Sequence, residues 1–193
     1  MQLITPDKFH DECAVFGIYG NKEAANLTYL GLYALQHRGQ EASGIVSGDG
    51  EQFHVHKGKG LVADIYNPQA LQQLTGSMAI GHNRYSTAGG NDLKNVQPLS
   101  VNFAFGNLAL SHNGNLINAQ VLRHELEAYG AIFQSTSDSE VIIHLIAHSR
   151  ADTLLARIID AMSQVRGAFS VVLQTDDGII AVRDPHGFRP LCL

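Results

Sequence analysis

Apolar residues along this chain fall into short blocks whose spacing switches between two periods. Ala14 to Tyr19 is a run of β-formers that stops at Gly20-Asn21, the pattern of a strand running into a turn. From Lys22 to Gln36 the positions Leu27, Leu30 and Leu35, with Tyr29 and Tyr33, recur at helical spacing and predict a helix. Ala42 to Ser47 and Gln52 to His56 read as two strands about a Gly48-Asp49-Gly50 turn. Met78 to Tyr85 and Phe103 to Ser111 are further strands, and Asn118 to Tyr129, Ser139 to Ser149 and Asp152 to Val165 are helices. Phe169 to Gln174 and Ile179 to Arg183 form a second hairpin about Thr175 to Gly178.

Strands precede helices and return after them without strict alternation. That favours an α+β architecture of stacked antiparallel sheets with helices packed outside, over a doubly wound parallel sheet. No repeat, low-complexity tract or Pro/Gly/Ser linker divides the 193 residues, a length that suits one sizeable domain. The C-terminal D-P-H-G-F-R-P-L-C-L stops in an apolar run, from which a longer natural polypeptide is expected.

Composition narrows the function classes. A net charge of -5 with no basic stripe argues against nucleic acid as a partner. Two cysteines, Cys13 and Cys192, make no disulfide framework. The leader Met1 to Glu12 lacks the apolar core of a signal peptide. No window approaches the roughly 18 apolar residues of a membrane helix, so the cytoplasm is the expected location.

Four local patterns carry candidate chemistry. Cys13, in D-E-C-A-V-F-G, alone reads as a buried core thiol at a strand start. As an N-terminal residue it becomes a nucleophile instead. A free α-amine titrates near ~7.7–8.0 and a thiol near ~8.5, so the amine serves as base for its own side chain and no separate histidine is needed. That reading makes residues 1–12 a propeptide. G-H-N-R-Y-S-T-A-G-G, Gly81 to Gly90, places Arg84 at a strand end, either solvated or holding a carboxylate through two parallel hydrogen bonds. Gly89 and Gly90 leave the following loop free to act as a lid.

S-H-N-G-N-L, Ser111 to Leu116, is either a hairpin turn or an oxyanion hole built from the Asn113 amide and the Gly114 N–H. In S-T-S-D-S-E, Ser137 and Glu140 have capping-box spacing. Asp138 is either a first-turn acid favoured by the helix dipole or a cleft carboxylate that binds ammonium. The His144/His148 and His54/His56 pairs lack the acidic or cysteine partners of a metal site, and no metal is expected in this chain.

Taken together and in order, Cys13 with A-V-F-G, L-Q-H-R-G-Q-E-A-S-G, G-H-N-R-Y-S-T-A-G, H-N-G-N-L and T-S-D-S-E resemble the N-terminal-nucleophile glutaminase domain of class II glutamine amidotransferases. The resemblance runs from Asp11 to the end. L-Q-H-R-G-Q-E, R-Y-S-T-A-G-G and D-P-x-G-x-R-P-L are similar to the purine-pathway branch, whereas the amino-sugar branch tends to read Y-R-G-Y-D and R-W-A-T-H-G. The resemblance implies a four-layer αββα sandwich over residues 13–193. It implies Cys13 as the nucleophile toward the glutamine side chain and Asn113 and Gly114 as the oxyanion hole. Arg84 with Thr87 would hold the α-carboxylate and Asp138 the α-ammonium, while Arg38 would have a structural or gating part. It also implies a second, phosphoribosyltransferase domain that binds phosphoribosylpyrophosphate, magnesium and, in some members, a 4Fe-4S cluster, in a full-length homo-oligomer. The acidic, glycine-rich substrate loop of that domain is not in these residues. The competing readings are a glutaminase serving amino-sugar or asparagine synthesis and a catalytically silent module of the same fold.

Overall fold

The computed structural model describes residues 13–85 and 92–193. Its strands form two four-stranded antiparallel sheets. The first has the order β1 (Ala14–Tyr19), β4 (Met78–Arg84), β2 (Ala42–Gly48), β3 (Phe53–Lys59). The second runs in chain order through β5 (Leu99–Phe103), β6 (Gly106–Leu116), β7 (Gly167–Thr175) and β8 (Ile179–Arg183).

The side-chain alternation of each strand decides how the sheets stack. On β2 and β4, Val46 and Ile80 point at the second sheet and meet Ala109 of β6 and Val172 of β7. Their neighbours Ile45 and Ala79 point the other way, into a core with Leu32 of α1 (Ala24–Ala34), Val62 and Ile65 of α2 (Val62–Ile65), and Leu74, which follows α3 (Pro68–Gln73). Leu108, Leu110, Phe169, Val171 and Leu173 face the opposite side of the second sheet. There they meet α4 (Ala119–Ala128), α5 (Ser139–His148) and α6 (Leu154–Gln164). The result is four layers, helix–sheet–sheet–helix. Both sheets are covered on two faces, so side chains on both faces of their central strands are buried. Ile142 and Ile146 of α5 are fully buried, each contributing about 1.5–3 kcal/mol.

Several local features differ from the sequence reading. The expected Lys22–Gln36 helix is Ala24–Ala34 followed by a 3-10 turn over Gln36–Arg38. Gln36 causes the break, because its side chain donates to Gly39 O at 2.6 Å and accepts from the Val62 N–H at 2.6 Å. Phe103–Ser111 is not one strand but the tight β5–β6 hairpin, unmarked in sequence because Phe103, Ala104 and Phe105 are all apolar. H-N-G-N-L is no hairpin turn. Asn113 and Gly114 lie inside β6, paired with Ser170 and Phe169 of β7. The capping box is not formed either: Asp138 occupies the N-cap of α5, and Glu140 reaches back to the N–H groups of Gln134 and Ser135 at 2.8 and 2.7 Å.

Candidate active site

Cys13 opens β1 beside the end of β4, where Ala14 pairs with Asn83. The turn after α1 fixes both. Arg38 Nε donates to Cys13 O at 3.0 Å, and the Glu41 N–H donates to Arg84 O at 3.2 Å. The R-G-Q-E segment thereby ties the start of β1 to the end of β4. Arg38 touches the Cys13 backbone, a structural contact. Cys13 itself is half-buried with φ at +42°, a left-handed conformation that non-glycine residues adopt at about 1–3 kcal/mol of strain. Its thiol approaches Tyr85 O at 3.7 Å.

A cavity of about 470 Å³ opens at this edge, lined by Cys13, Arg84, His112, Gly114 and Asp138 among others. That volume falls in the range of small-molecule sites, about 300–1,000 Å³. Arg84 is 8% exposed and donates from Nη1 to Asn95 O at 2.7 Å. Asp138 accepts the Leu116 N–H at 2.9 Å, which fastens the start of α5 to the end of β6. Gly114 has φ at +145°, and a Cβ there would lie 2.0 Å from Ala168 O. Only glycine fits, so this residue type follows from the close β6–β7 approach.

Asn113 is buried on the β6 face shared with Ala109, toward the first sheet, and is not part of the cavity wall. Its Oδ1 has no partner among the described residues. The structure therefore gathers Cys13, Arg84, Gly114 and Asp138 at one cavity, with Arg38 on the Cys13 carbonyl and Asn113 on the adjoining strand face. Thr87, the Gly89-Gly90 pair and the leader 1–12 lie outside the described residues.

Two histidines form the floor. His82 donates from Nε2 to His112 O at 3.0 Å, and burial lowers its pKa to about 3. Burial likewise lowers His112, against the raising influence of Asp138. Both are neutral at physiological pH. Asn95, Gln97 and Ser139, which the sequence reading did not single out, also reach this region. They sit in no periodic pattern, and only the Asn-x-Gln-Pro wording marks the loop. Among the described residues no group of three or more His, Cys, Asp or Glu could hold a metal ion, and no helix is long and apolar enough to cross a membrane.

Comparison with known proteins identifies the family to which this fold belongs. A glutamine amidotransferase domain model matches residues 82–193. Amidophosphoribosyltransferase 3, chloroplastic, of Arabidopsis thaliana is 51% identical over 97% of this chain and 35% of its own length. An amidophosphoribosyltransferase of Lacticaseibacillus casei is 49% identical over 96% of both chains. The solved glutamine phosphoribosylpyrophosphate amidotransferase of B. subtilis, complexed with ADP and GMP, superposes with a TM-score of 0.86 at 46% identity, covering 91% of this chain and 38% of that one. The chain spans about a third of the length of the Arabidopsis relatives it matches.

Proposed function

The chain belongs to the glutamine amidotransferase domain family, and we propose that it hydrolyses glutamine to glutamate and ammonia through a thioester on Cys13. The observation that carries this reading is the cavity itself, where one thiol shares a wall with a buried arginine and with an aspartate at the N-cap position of α5. An arginine can hold a carboxylate and an aspartate an ammonium group, which together fit the head of an α-amino acid. The side chain of glutamine would then extend toward Cys13.

In this proposal residues 1–12 are a propeptide, and their removal frees the Cys13 α-amine. The amine takes the thiol proton, Sγ adds to the amide carbon, and the oxyanion is held by the Gly114 N–H at the cavity wall and by the Asn113 amide, which would turn to it from the strand face toward the first sheet, the sheet that carries Cys13. Such donors are worth about 10²–10³ in rate each. Collapse breaks the C–N bond while the amine returns the proton to nitrogen, so ammonia leaves and a thioester remains. Water then cleaves the thioester, which releases glutamate and restores the thiol. Arg84, with Thr87, holds the α-carboxylate and Asp138 the α-ammonium. Arg38 positions Cys13 through its carbonyl.

The ammonia serves phosphoribosylamine formation from phosphoribosylpyrophosphate, the first step of de novo purine synthesis. That step belongs to a transferase domain which also carries magnesium and any iron–sulfur cluster, in a cytoplasmic homo-oligomer. The longer amidophosphoribosyltransferase relatives support this assignment over amino-sugar or asparagine synthesis. The test is glutamate release from glutamine by the wild-type chain and by Cys13→Ala. The wild type is expected to release glutamate and the variant none. An undiminished rate in Cys13→Ala would refute the mechanism.

A further inference from the structure

Beneath the cavity, a single loop touches both of its charged walls. Asn95 accepts on its backbone carbonyl from Arg84 Nη1 at 2.7 Å. Its side chain meanwhile grips the segment before α5, with Oδ1 accepting from the Thr136 N–H at 3.0 Å and Nδ2 donating to Thr136 Oγ1 at 3.1 Å. Two residues on, Gln97 Oε1 accepts from the His112 N–H at 2.6 Å and Gln97 Nε2 donates to Ser139 Oγ at 3.0 Å. Ser139 gives its own proton to Asp138 Oδ1 at 3.4 Å and lies 2.9 Å from His112 Nδ1. Asn95 and Gln97 are 3% and 7% exposed. The loop is also pressed against β2, since a Cβ on Gly44 would lie 2.2 Å from Gln97 O.

We propose that Asn95 and Gln97 are positioning residues that set the separation between Arg84 and Asp138, and so make the cavity selective for ligands carrying both an α-carboxylate and an α-ammonium group. The proposal rests on the glutamine reading above. Its physical basis is rotational locking. A buried amide side chain with donor and acceptor both engaged cannot turn without leaving polar groups unpaired. Asn95 and Gln97 are each held in this way: Asn95 links Arg84 to the segment before α5, and Gln97, two residues on, links β6 at His112 to Ser139 at the start of α5. His112 and Ser139 carry no charge in this network, so Gln97 steers Asp138 without competing for its ammonium partner.

The test compares two reagents that reach Cys13 by different routes, on the full chain with Cys192→Ser to leave one thiol. Diazo-oxo-norleucine carries the amino-acid head and needs the clamp, whereas iodoacetamide does not. Gln97→Ala and Ser139→Ala are expected to slow inactivation by diazo-oxo-norleucine about 10–10²-fold, the scale of a displacement of about 1 Å, and to leave alkylation by iodoacetamide at the wild-type rate. Ser139→Ala removes one hydroxyl at the start of a helix and supplies the answer if Gln97→Ala does not fold. In an Asp138→Ala background, Gln97→Ala is expected to have no further effect on the diazo-oxo-norleucine rate. Equal slowing with both reagents, no slowing with either, or full additivity with Asp138→Ala would overturn the proposal. A wild-type chain that reacts with iodoacetamide but not with diazo-oxo-norleucine would overturn the glutamine reading, and this proposal with it.

Discussion

Replacing Gly114 by alanine tests whether the oxyanion strand is set by backbone approach. The new Cβ would sit 2.0 Å from Ala168 O and 2.8 Å from Phe169 Cα, at a φ of +145°. Two effects then add. Backbone strain at such a φ is about 1–3 kcal/mol, and overpacking a tight site is about 1–3 kcal/mol. The sum centres near ~4 kcal/mol. At roughly 2–4 °C per kcal/mol for a chain of this size, Tm falls by about 8–16 °C. Gly130→Ala is the control. It also has positive φ, +91°, but no heavy atom within 4 Å of the added Cβ, so only the strain of about 1–3 kcal/mol remains. Thermal melts of both variants, read against wild type, separate the clash from the strain. The β6–β7 spacing must widen to admit the methyl, so the Gly114 N–H moves off the reacting carbonyl. Glutaminase rate, measured well below the Tm of the variant, is expected to drop about 10²–10³-fold. A Gly114→Ala melt no lower than that of Gly130→Ala, or a full glutaminase rate, would refute this reasoning.

Three other outcomes follow from the same structure. Arg84→Lys keeps the charge but loses the fork that holds Asn95 O and, in the proposed site, the glutamine carboxylate; KM for glutamine is expected to rise about 10–10²-fold, the size of one charged hydrogen bond, and an unchanged KM would remove Arg84 from the binding role. Burial pushes the Asp184 carboxyl up, but the N–H groups of Arg189, Phe188, Phe169 and His186 outweigh it and hold the pKa at about 2; because the unfolded chain binds the proton more tightly, Asp184 supports the fold above pH ~4 and loses that support as pH falls. Asp184→Asn should therefore lower Tm at pH ~7 and differ less from wild type at pH ~3; a pH-independent difference would contradict the assignment. Burial lowers His82 to about 3, so its neutral form favours folding fully above pH ~6.5 and progressively less as pH falls toward ~3. The urea midpoint is expected to drop between pH ~7 and ~5, and less steeply in His82→Gln; an equal slope in the variant would place the acid sensitivity elsewhere.

How much of this was legible in the sequence depends on the range of the forces involved. Ala42–Gly48 was readable because the Gly48-Asp49-Gly50 turn marks a hairpin, and Met78–Arg84 because it opens on the apolar run Met78-Ala79-Ile80. The helices α4, α5 and α6 were readable because each presents a long apolar stripe to the second sheet. The short helices Val62–Ile65 and Pro68–Gln73 were not, since four and six residues complete too little of a period. At the site, Cys13, Arg84, Gly114 and Asp138 stood out as motif residues, but β1, β4, β6 and α5 bring them to one cavity only through long-range pairing. Gly114 looked like a turn because Asn-Gly favours positive φ. The structure uses that same freedom inside a strand. Asn95 and Gln97 act through buried polar bonds to residues up to 42 positions away, a contact that no local pattern announces.

Intact mass spectrometry before and after exposure to diazo-oxo-norleucine tests the Cys13 mechanism most directly. The expected result is a chain lacking Met1 to Glu12 that gains one covalent adduct, mapped to Cys13 and prevented by excess glutamine. A chain that has lost the leader yet takes no adduct, or takes it at Cys192, would contradict Cys13 as the nucleophile.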